Sequence, residues 1–334
     1  MSRTLIIAEA GVNHNGDLNT ALKLVDAAKN CGADVVKFQT FSAEVLVTES
    51  AEKATYQKST TGEFETQLDM LRKLELNHES HIVLRDHCEN IGIEFLSTGF
   101  DIAKLEILID LGIKRIKIPS GDITNLPLLR YAGSAGLPVI LSTGMAMLTE
   151  VSDALTVFHA SGLAKEDIVV LHCTSEYPTP MQNVNLMAMK TLESTFKVSV
   201  GYSDHTVGSQ VAVAAVALGA RVIEKHITLD RTSPGPDHLA SMEPLEFQSM
   251  VKAIRDVECA LGDGVKAPRG AESENALIAR KSLIAKKKIT KGEIFTSENI
   301  QVKRPGNGFS PMRWDEALRE VAPKDFYPDD LIEF

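Results

Sequence analysis

KVSVGYSDHTVGSQVAVAAVALGARVIEKHIT, residues 197–228, is the stretch on which the fold turns. Lys197–Ser203 alternates Val with smaller residues and predicts a strand. Ser209–Leu218, built of Ala and Val, predicts a helix, and Arg221–Thr228 predicts a second strand. Strand, helix and strand in so short a span make a βαβ unit, whose strands run parallel. Both strands end in polar residues: Ser203-Asp204-His205 and Glu224-Lys225-His226.

The same alternation runs upstream. Predicted strands at Thr4–Ala10, Asp34–Thr40, Glu94–Thr98, Arg115–Ser120, Pro138–Thr143 and Ile168–Thr174 are each followed by a helical stretch. These stretches are Asn19–Cys31, Glu79–Asn90 (after a long insertion), Ile102–Leu111, Leu126–Ser134, Thr149–Ala160 and Leu186–Thr195. Pro244–Leu261 closes the series. Eight strand–helix units in about 260 residues match a (β/α)8 TIM barrel, an α/β fold. A doubly wound open sheet would carry a Gly-rich phosphate loop after its first strand, and Ala10-Gly11-Val12-Asn13-His14 is not one. Beyond Gly262 the texture changes. Residues 263–278, rich in Gly, Pro and charge, read as a linker. Residues 279–334, with strand-like pieces at Ser282–Ala285 and Ile300–Lys303 and a short helix at Arg313–Val321, read as a small second domain. The chain has 334 residues, which suits two domains at about 150 residues each.

Hydrophobic residues make up 44% of the chain and charged residues 24%, a globular composition. With 45 acidic against 35 basic residues the net charge is -10, which argues against a nucleic-acid partner. The longest apolar run, Val211–Leu218, falls short of the roughly 20 residues a bilayer span needs. Met1–Glu9 is too short and too soon interrupted by charge for a secretory leader. Cys31, Cys88, Cys173 and Cys259 form no Cys-x-x-Cys pair, which fits a reducing compartment. The expectation is a cytoplasmic protein with no membrane partner.

In a barrel, the C-terminal strand ends converge on one mouth, and here all eight are polar. They carry Glu9; Lys37 and Gln39; Thr98; Lys117, Ser120 and Asp122; Ser142 and Thr143; His172, Thr174 and Ser175; Ser203 to His205; and Glu224 with His226. His205 and His226 end adjacent strands and suit a divalent ion; His14 and His172 are weaker candidates. Lys37 and Lys117, with Ser120, Ser142 and Ser203, suit a phosphate or carboxylate ligand. Lys117 alone would also serve a Schiff-base aldolase. A carbohydrate-binding protein without catalysis is a further reading. The stiff loop Thr232–His238 would place Asp237 over the mouth.

Glu-Ala-Gly-Val-Asn-His-Asn-Gly (9–16), Val-Lys-Phe-Gln-Thr (36–40), Lys-Ile-Pro-Ser-Gly-Asp (117–122), Leu-Ser-Thr-Gly-Met (141–145), Tyr-Ser-Asp-His (202–205), Glu-Lys-His (224–226), Pro-Gly-Pro-Asp (234–237) and Lys-Arg-Pro-Gly-Asn-Gly (303–308) together resemble the sialic acid synthase family, in order and over nearly the whole chain. The resemblance implies a metal-dependent TIM barrel followed by an antifreeze-like (SAF) domain. It implies condensation of phosphoenolpyruvate with an acetamido sugar to a nonulosonic acid, and a domain-swapped homodimer. Matched residue by residue, it implies that His205 and His226 hold the metal, Mn2+ first and Mg2+ or Co2+ next. Lys37, Thr98, Lys117, Ser120, Ser142 and Ser203 then hold phosphoenolpyruvate, and Glu9 and Glu224 are the acids of the reaction centre. Tyr177, Asp237 and Arg304 bind sugar, with Arg304 coming from the other subunit.

Two positions depart from the sialate pattern. Asp122 stands where Glu is common, and Ser175-Glu176 stands where Asn and an apolar residue are usual. Both are similar to the branch that makes N,N′-diacetyllegionaminate from a 2,4-diacetamido-2,4,6-trideoxy mannose-type sugar. The alternative is N-acetylneuraminate synthesis from N-acetylmannosamine.

Overall fold

The computed structural model describes residues 3–62 and 64–334. Two compact units divide it, Met1–Asp263 and Gly264–Phe334.

The first unit is built on eight parallel strands: β1 (Leu5–Gly11), β2 (Val35–Thr40), β3 (Glu94–Gly99), β4 (Ile116–Ile118), β5 (Val139–Ser142), β6 (Ile168–Cys173), β7 (Ser199–Asp204) and β8 (Val222–His226). They hydrogen-bond in the order β3-β2-β1-β8-β7-β6-β5-β4. β3 also lies against β4, so the sheet closes on itself as a (β/α)8 barrel. The strand expected over Arg115–Ser120 is shorter than read, because Pro119 has no N–H to donate to a ladder and Ser120–Asp122 turns into a 3-10 helix. Polar caps set where several helices start. Asp17, Asn77, Asp101 and Asn125 each accept a hydrogen bond from a backbone N–H of the first turn, satisfying donors the helix leaves unpaired.

Period-two alternation then assigns every strand residue to one side of the barrel wall. Outward-facing Ile6, Ala8, Val36, Phe38, Leu141, Val170, Tyr202 and Ile223 join the large core beneath the helices. Inward-facing Ile7, Val35, Leu96, Ile140, Leu171 and Val222 pack together as an apolar plug. Two residues further along the same faces, apolar gives way to polar: Ile7 is followed by Glu9, Val35 by Lys37, Leu96 by Thr98, Ile140 by Ser142 and Val222 by Glu224. The pairing registers Glu9 with Lys37 and Ser203 with Glu224, so these side chains meet in one layer above the plug.

The insertion between β2 and the helix His78–Ile91 forms three short helices, Ala43–Leu46, Thr55–Thr61 and Gln67–Arg72. Among the described residues, no helix is long and apolar enough to cross a membrane.

The second unit holds the antiparallel pair β9 (Ser282–Ala285) and β10 (Ile300–Lys303). Its own core is Leu283, Ile289, Phe295, Ile300, Phe326 and Ile332 with smaller neighbours. The stretch 263–278, read as linker, contains most of a helix, Glu272–Ala279, whose residues are largely exposed. The helix expected over Arg313–Val321 is restricted to Trp314–Ala317, preceded by a 3-10 turn at Pro311–Arg313.

Gly201 sets the approach of β7 to β8. A Cβ there would collide with the Val222 carbonyl oxygen and lie 2.6 Å from Leu171 Cδ2. Backbone and plug must both shift to admit it. Gly201→Ala is therefore expected to destabilise the barrel by about 1–3 kcal/mol, read as a lower urea midpoint at neutral pH.

Candidate active site

Above the plug, a cavity of about 470 Å³ opens at the C-terminal ends of the strands. Of the residues singled out from the sequence, Glu9, Lys37, Thr98, Lys117, Ser120, Ser142, Ser175, Tyr177, Ser203, His205, Glu224, His226 and Asp237 all line it. Asp122 does not line it. Its carboxylate turns to Asn125, whose amide donates to it at 2.9 Å, so the one-methylene difference from Glu is spent in a local turn. Burial lifts the Asp122 pKa against that hydrogen bond. Arg304 lies in the second unit, just after β10, and is exposed.

The floor is a cluster of four buried charges. Lys37 Nζ lies 2.6 Å from Glu9 Oε2 and 3.6 Å from Glu224 Oε2. Lys117 Nζ lies 3.6 Å from Glu224 Oε1. Hydroxyls complete the set: Lys37 donates to Thr98 at 3.2 Å, Lys117 to Ser142 at 2.8 Å, and Ser203 donates to Glu224 at 3.1 Å. Gln39 donates to Glu9 at 3.2 Å. Gly11 leaves room for this layer. With a φ of +52°, a Cβ there would sit 3.2 Å from Glu9 Oε1 and 3.3 Å from the Gln39 amide.

The two carboxylates titrate in opposite directions. Burial would raise Glu224, but Lys117, Lys37 and His226 outweigh it and hold its pKa down to about 2. For Glu9 burial wins over Lys37, and the Glu224 charge adds to it, so its pKa is raised. Burial also lowers Lys117, while for Lys37 the two carboxylates overcome burial and raise it. One carboxylate is thus a fixed anion and the other is poised to exchange a proton, a split that assigns different work to each.

Beside this floor, the rings of His205 and His226 are 5.4 Å apart, centroid to centroid. His205 Nδ1 lies 2.6 Å from the Thr174 carbonyl, which can only accept. The proton is therefore on Nδ1, leaving the Nε2 lone pair towards the cavity. Burial holds His205 at a pKa of about 4 and pushes His226 well below its usual value, so both imidazoles are neutral. His226 Nδ1 and Glu224 Oε2 have no hydrogen-bond partner, whereas Glu9 Oε2 is held by Lys37. Neutral imidazole nitrogens near an open carboxylate oxygen suit a borderline divalent ion. Among the described residues no group of three or more His, Cys, Asp or Glu side chains is arranged as a ready-made ligand set.

Asp237 Oδ2 stands 3.6 Å from His226 Nδ1. Burial, with the Glu9 charge, lifts the Asp237 pKa to about 7. Tyr177 stacks on His205 at 4.0 Å. His172, a weaker candidate ligand, donates to the Val184 carbonyl at 2.9 Å and serves the loop after β6. His14 accepts from Gly16 N at 3.0 Å and is buried in its turn.

The sequence reading missed two features. Asp204, expected among the mouth residues, instead alternates with them and faces outward, where it forms with Lys225 a fully buried ion pair of 2.9 Å. Asp204 also accepts from the backbone N–H and hydroxyl of Thr206, and Lys225 donates to the Thr206 carbonyl. This knot braces the backbone on both sides of His205 and beside His226. The second feature is the insertion, from which Ala54, Tyr56, Gln57, Gln67 and Met70 reach the cavity. Nothing in its uneven polarity marks these five.

The folded pKa of Glu224, about 2, lies below the ordinary 4.5, so its stabilising effect is complete above about pH 4.5 and is lost as pH falls towards 2. Glu224→Gln is expected to lower the denaturation midpoint at pH 7. The gap from wild type should narrow progressively below pH 4.5, as followed by urea unfolding across that range.

The NeuB family model matches residues 24–266, and the SAF domain model matches residues 280–334. The N,N′-diacetyllegionaminic acid synthase of Campylobacter jejuni is 52% identical over 332 residues, 99% of each chain. That of Legionella pneumophila is 50% identical over 92% of this chain and 86% of its own. A crystal structure of N-acetylneuraminic acid synthetase from Leptospira borgpetersenii, in complex with citrate, superposes with a TM-score of 0.74 at 35% identity, over 82% of this chain and 90% of that one. With a family model spanning most of the barrel unit and near-full-length relatives at half identity, this chain belongs to the NeuB family, the sialic acid synthases, and carries a C-terminal SAF domain.

Proposed function

We propose that the protein condenses phosphoenolpyruvate with a 2,4-diacetamido-2,4,6-trideoxy mannose-type sugar, giving N,N′-diacetyllegionaminate and phosphate. The observation that carries this reading is the layer of Lys37, Lys117, Thr98, Ser142 and Ser203 facing the His205–His226 pair across one cavity. Half identity to two enzymes bearing that product's name supports the choice of sugar.

The chemistry follows from the charges. The lysines and hydroxyls hold the phosphate and carboxylate of phosphoenolpyruvate, so its methylene carbon meets the open-chain aldehyde as a positioned partner. When bound by His205 and His226, a divalent ion, Mn2+ before Mg2+ or Co2+, supplies Lewis-acid polarisation of the aldehyde oxygen. Carbon–carbon bond formation leaves positive charge at C2 of the former phosphoenolpyruvate. Glu224, anionic throughout, faces that charge. Glu9, with its raised pKa, takes the proton of the water that adds at C2. The resulting hemiketal phosphate breaks its C–O bond and releases phosphate. Tyr177 and Asp237 bound the sugar side. A homodimer in which Arg304 of one subunit completes the other's sugar site belongs to the same proposal.

Phosphate release should require both substrates and run faster with the diacetamido sugar than with N-acetylmannosamine; the reverse preference would move the chain to sialate synthesis. Glu9→Gln should lower kcat by about 100-fold or more. His205→Ala and His226→Ala should lose bound metal by elemental analysis as well as activity, with unchanged melting. A borohydride-trapped pyruvate adduct on Lys117 would replace this mechanism with a Schiff base. Co-expressing Glu9→Gln and Arg304→Ala chains should restore turnover that neither variant shows alone, and confirmed mixed dimers without activity would refute the shared site.

A further inference from the structure

The outer wall of the cavity is made by the insertion between β2 and the helix His78–Ile91, and that wall has the chemistry of an amide receptor. Tyr56, on the helix Thr55–Thr61, stacks on Tyr177 at 5.0 Å and 26°, and Tyr177 stacks on His205 at 4.0 Å and 26°. A column of three rings thus runs from the insertion down to the reacting end. Met70 and Leu74 are buried with Val12 and Phe41 in a small separate core, which fixes the insertion to the end of β1. Both also show a face to the cavity.

Gln67 opens the helix Gln67–Arg72 and lines the same cavity. It is half-buried, and its side-chain amide makes no hydrogen bond to any described residue. A carboxamide with its hydrogen-bonding groups open offers an N–H donor and a carbonyl acceptor to a ligand. An acetamido group asks for the complement: an acceptor for its N–H, a donor for its carbonyl, and an apolar surface for its methyl. Gln67 supplies the first two, and the Tyr56 ring with Met70 supplies the third.

Chain geometry says which acetamido group this is. The aldehyde carbon must lie over the lysines and beside the histidines, at the bottom of the cavity. The C2 substituent is next to it. The C4 substituent is two carbons further along and points to the mouth, where the insertion stands. We infer that Gln67 and Tyr56 form the subsite for the acetamido group at C4 of the sugar, which makes the insertion the element that selects a diacetamido substrate. The inference rests on the substrate proposed above.

The test uses the full chain with phosphoenolpyruvate, comparing wild type with Gln67→Met and Tyr56→Leu, and each variant's melting temperature shows whether it is folded. Gln67→Met keeps length and volume but removes the hydrogen bonds. It should lower kcat/KM for the 2,4-diacetamido sugar about tenfold, the size expected for a partner lost by a buried polar group. The KM for phosphoenolpyruvate should stay within twofold, and kcat/KM for N-acetylmannosamine, which has no acetamido group at C4, should fall by a clearly smaller factor. Tyr56→Leu should shift the ratio of the two sugars in the same direction. An unchanged kcat/KM for the diacetamido sugar in Gln67→Met overturns the subsite, as does an equal loss for both sugars. A wild type that turns over neither sugar overturns the catalytic reading instead, and the subsite with it.

Discussion

Two lysines and two glutamates buried together above the apolar plug of the barrel are the constraint on which the rest of the site depends. Placing four charges out of water is costly, and the cost is tolerable only where partners and hydrogen bonds are all supplied. Here Lys37 and Lys117 share Glu224, Lys37 also holds Glu9, and the hydroxyls of Thr98, Ser142 and Ser203 fill remaining positions. Yet Glu224 Oε2 lacks a hydrogen bond, as does His226 Nδ1. Acceptor capacity left open in so closed a layer suits a cation or a donor group, while the lysines and hydroxyls beside it are the groups that can face an anion.

The layer is held from outside as well as from within. Lys225 and Asp204 face away from the substrate and touch no reacting group. Their buried pair, tied to Thr206 on three atoms, fixes the ends of β7 and β8 where the two histidines stand. Breaking such a pair leaves an uncompensated charge and is strongly destabilising, so the histidine geometry is tied to the stability of the barrel itself. The same alternation that turns Ser203 and Glu224 inward turns Asp204 and Lys225 outward. Adjacent residues therefore carry chemistry and bracing in turn.

Much of this was legible in the residues. The βαβ rhythm gave all eight barrel strands, because buried parallel strands are short β-branched runs and several of the helices between them are capped by Asp or Asn. Glu9, Lys37, Ser203 and Glu224 could be read as one site because strand ends converge in a barrel. What could not be read depended on turns and tertiary context. Asp122 resembled a sugar ligand by position, but Pro119 ends the strand early and a 3-10 turn gives its carboxylate to Asn125. The insertion had no periodicity to show that Tyr56 would stack on Tyr177, since that contact joins segments far apart in sequence. Asp204 was read with the mouth residues at the end of β7, but strand alternation turns it outward, where it pairs with Lys225 beneath the helices.

Equilibrium binding tests whether the two buried lysines hold phosphoenolpyruvate. Calorimetric titration of phosphoenolpyruvate into wild type, Lys37→Met and Lys117→Met, each confirmed as folded by melting, measures the interaction without turnover. A charge-assisted hydrogen bond to an anion contributes about 1.5–3 kcal/mol, so each variant should bind roughly 10-fold to 100-fold more weakly. Folded variants that bind phosphoenolpyruvate with the wild-type Kd would contradict the account.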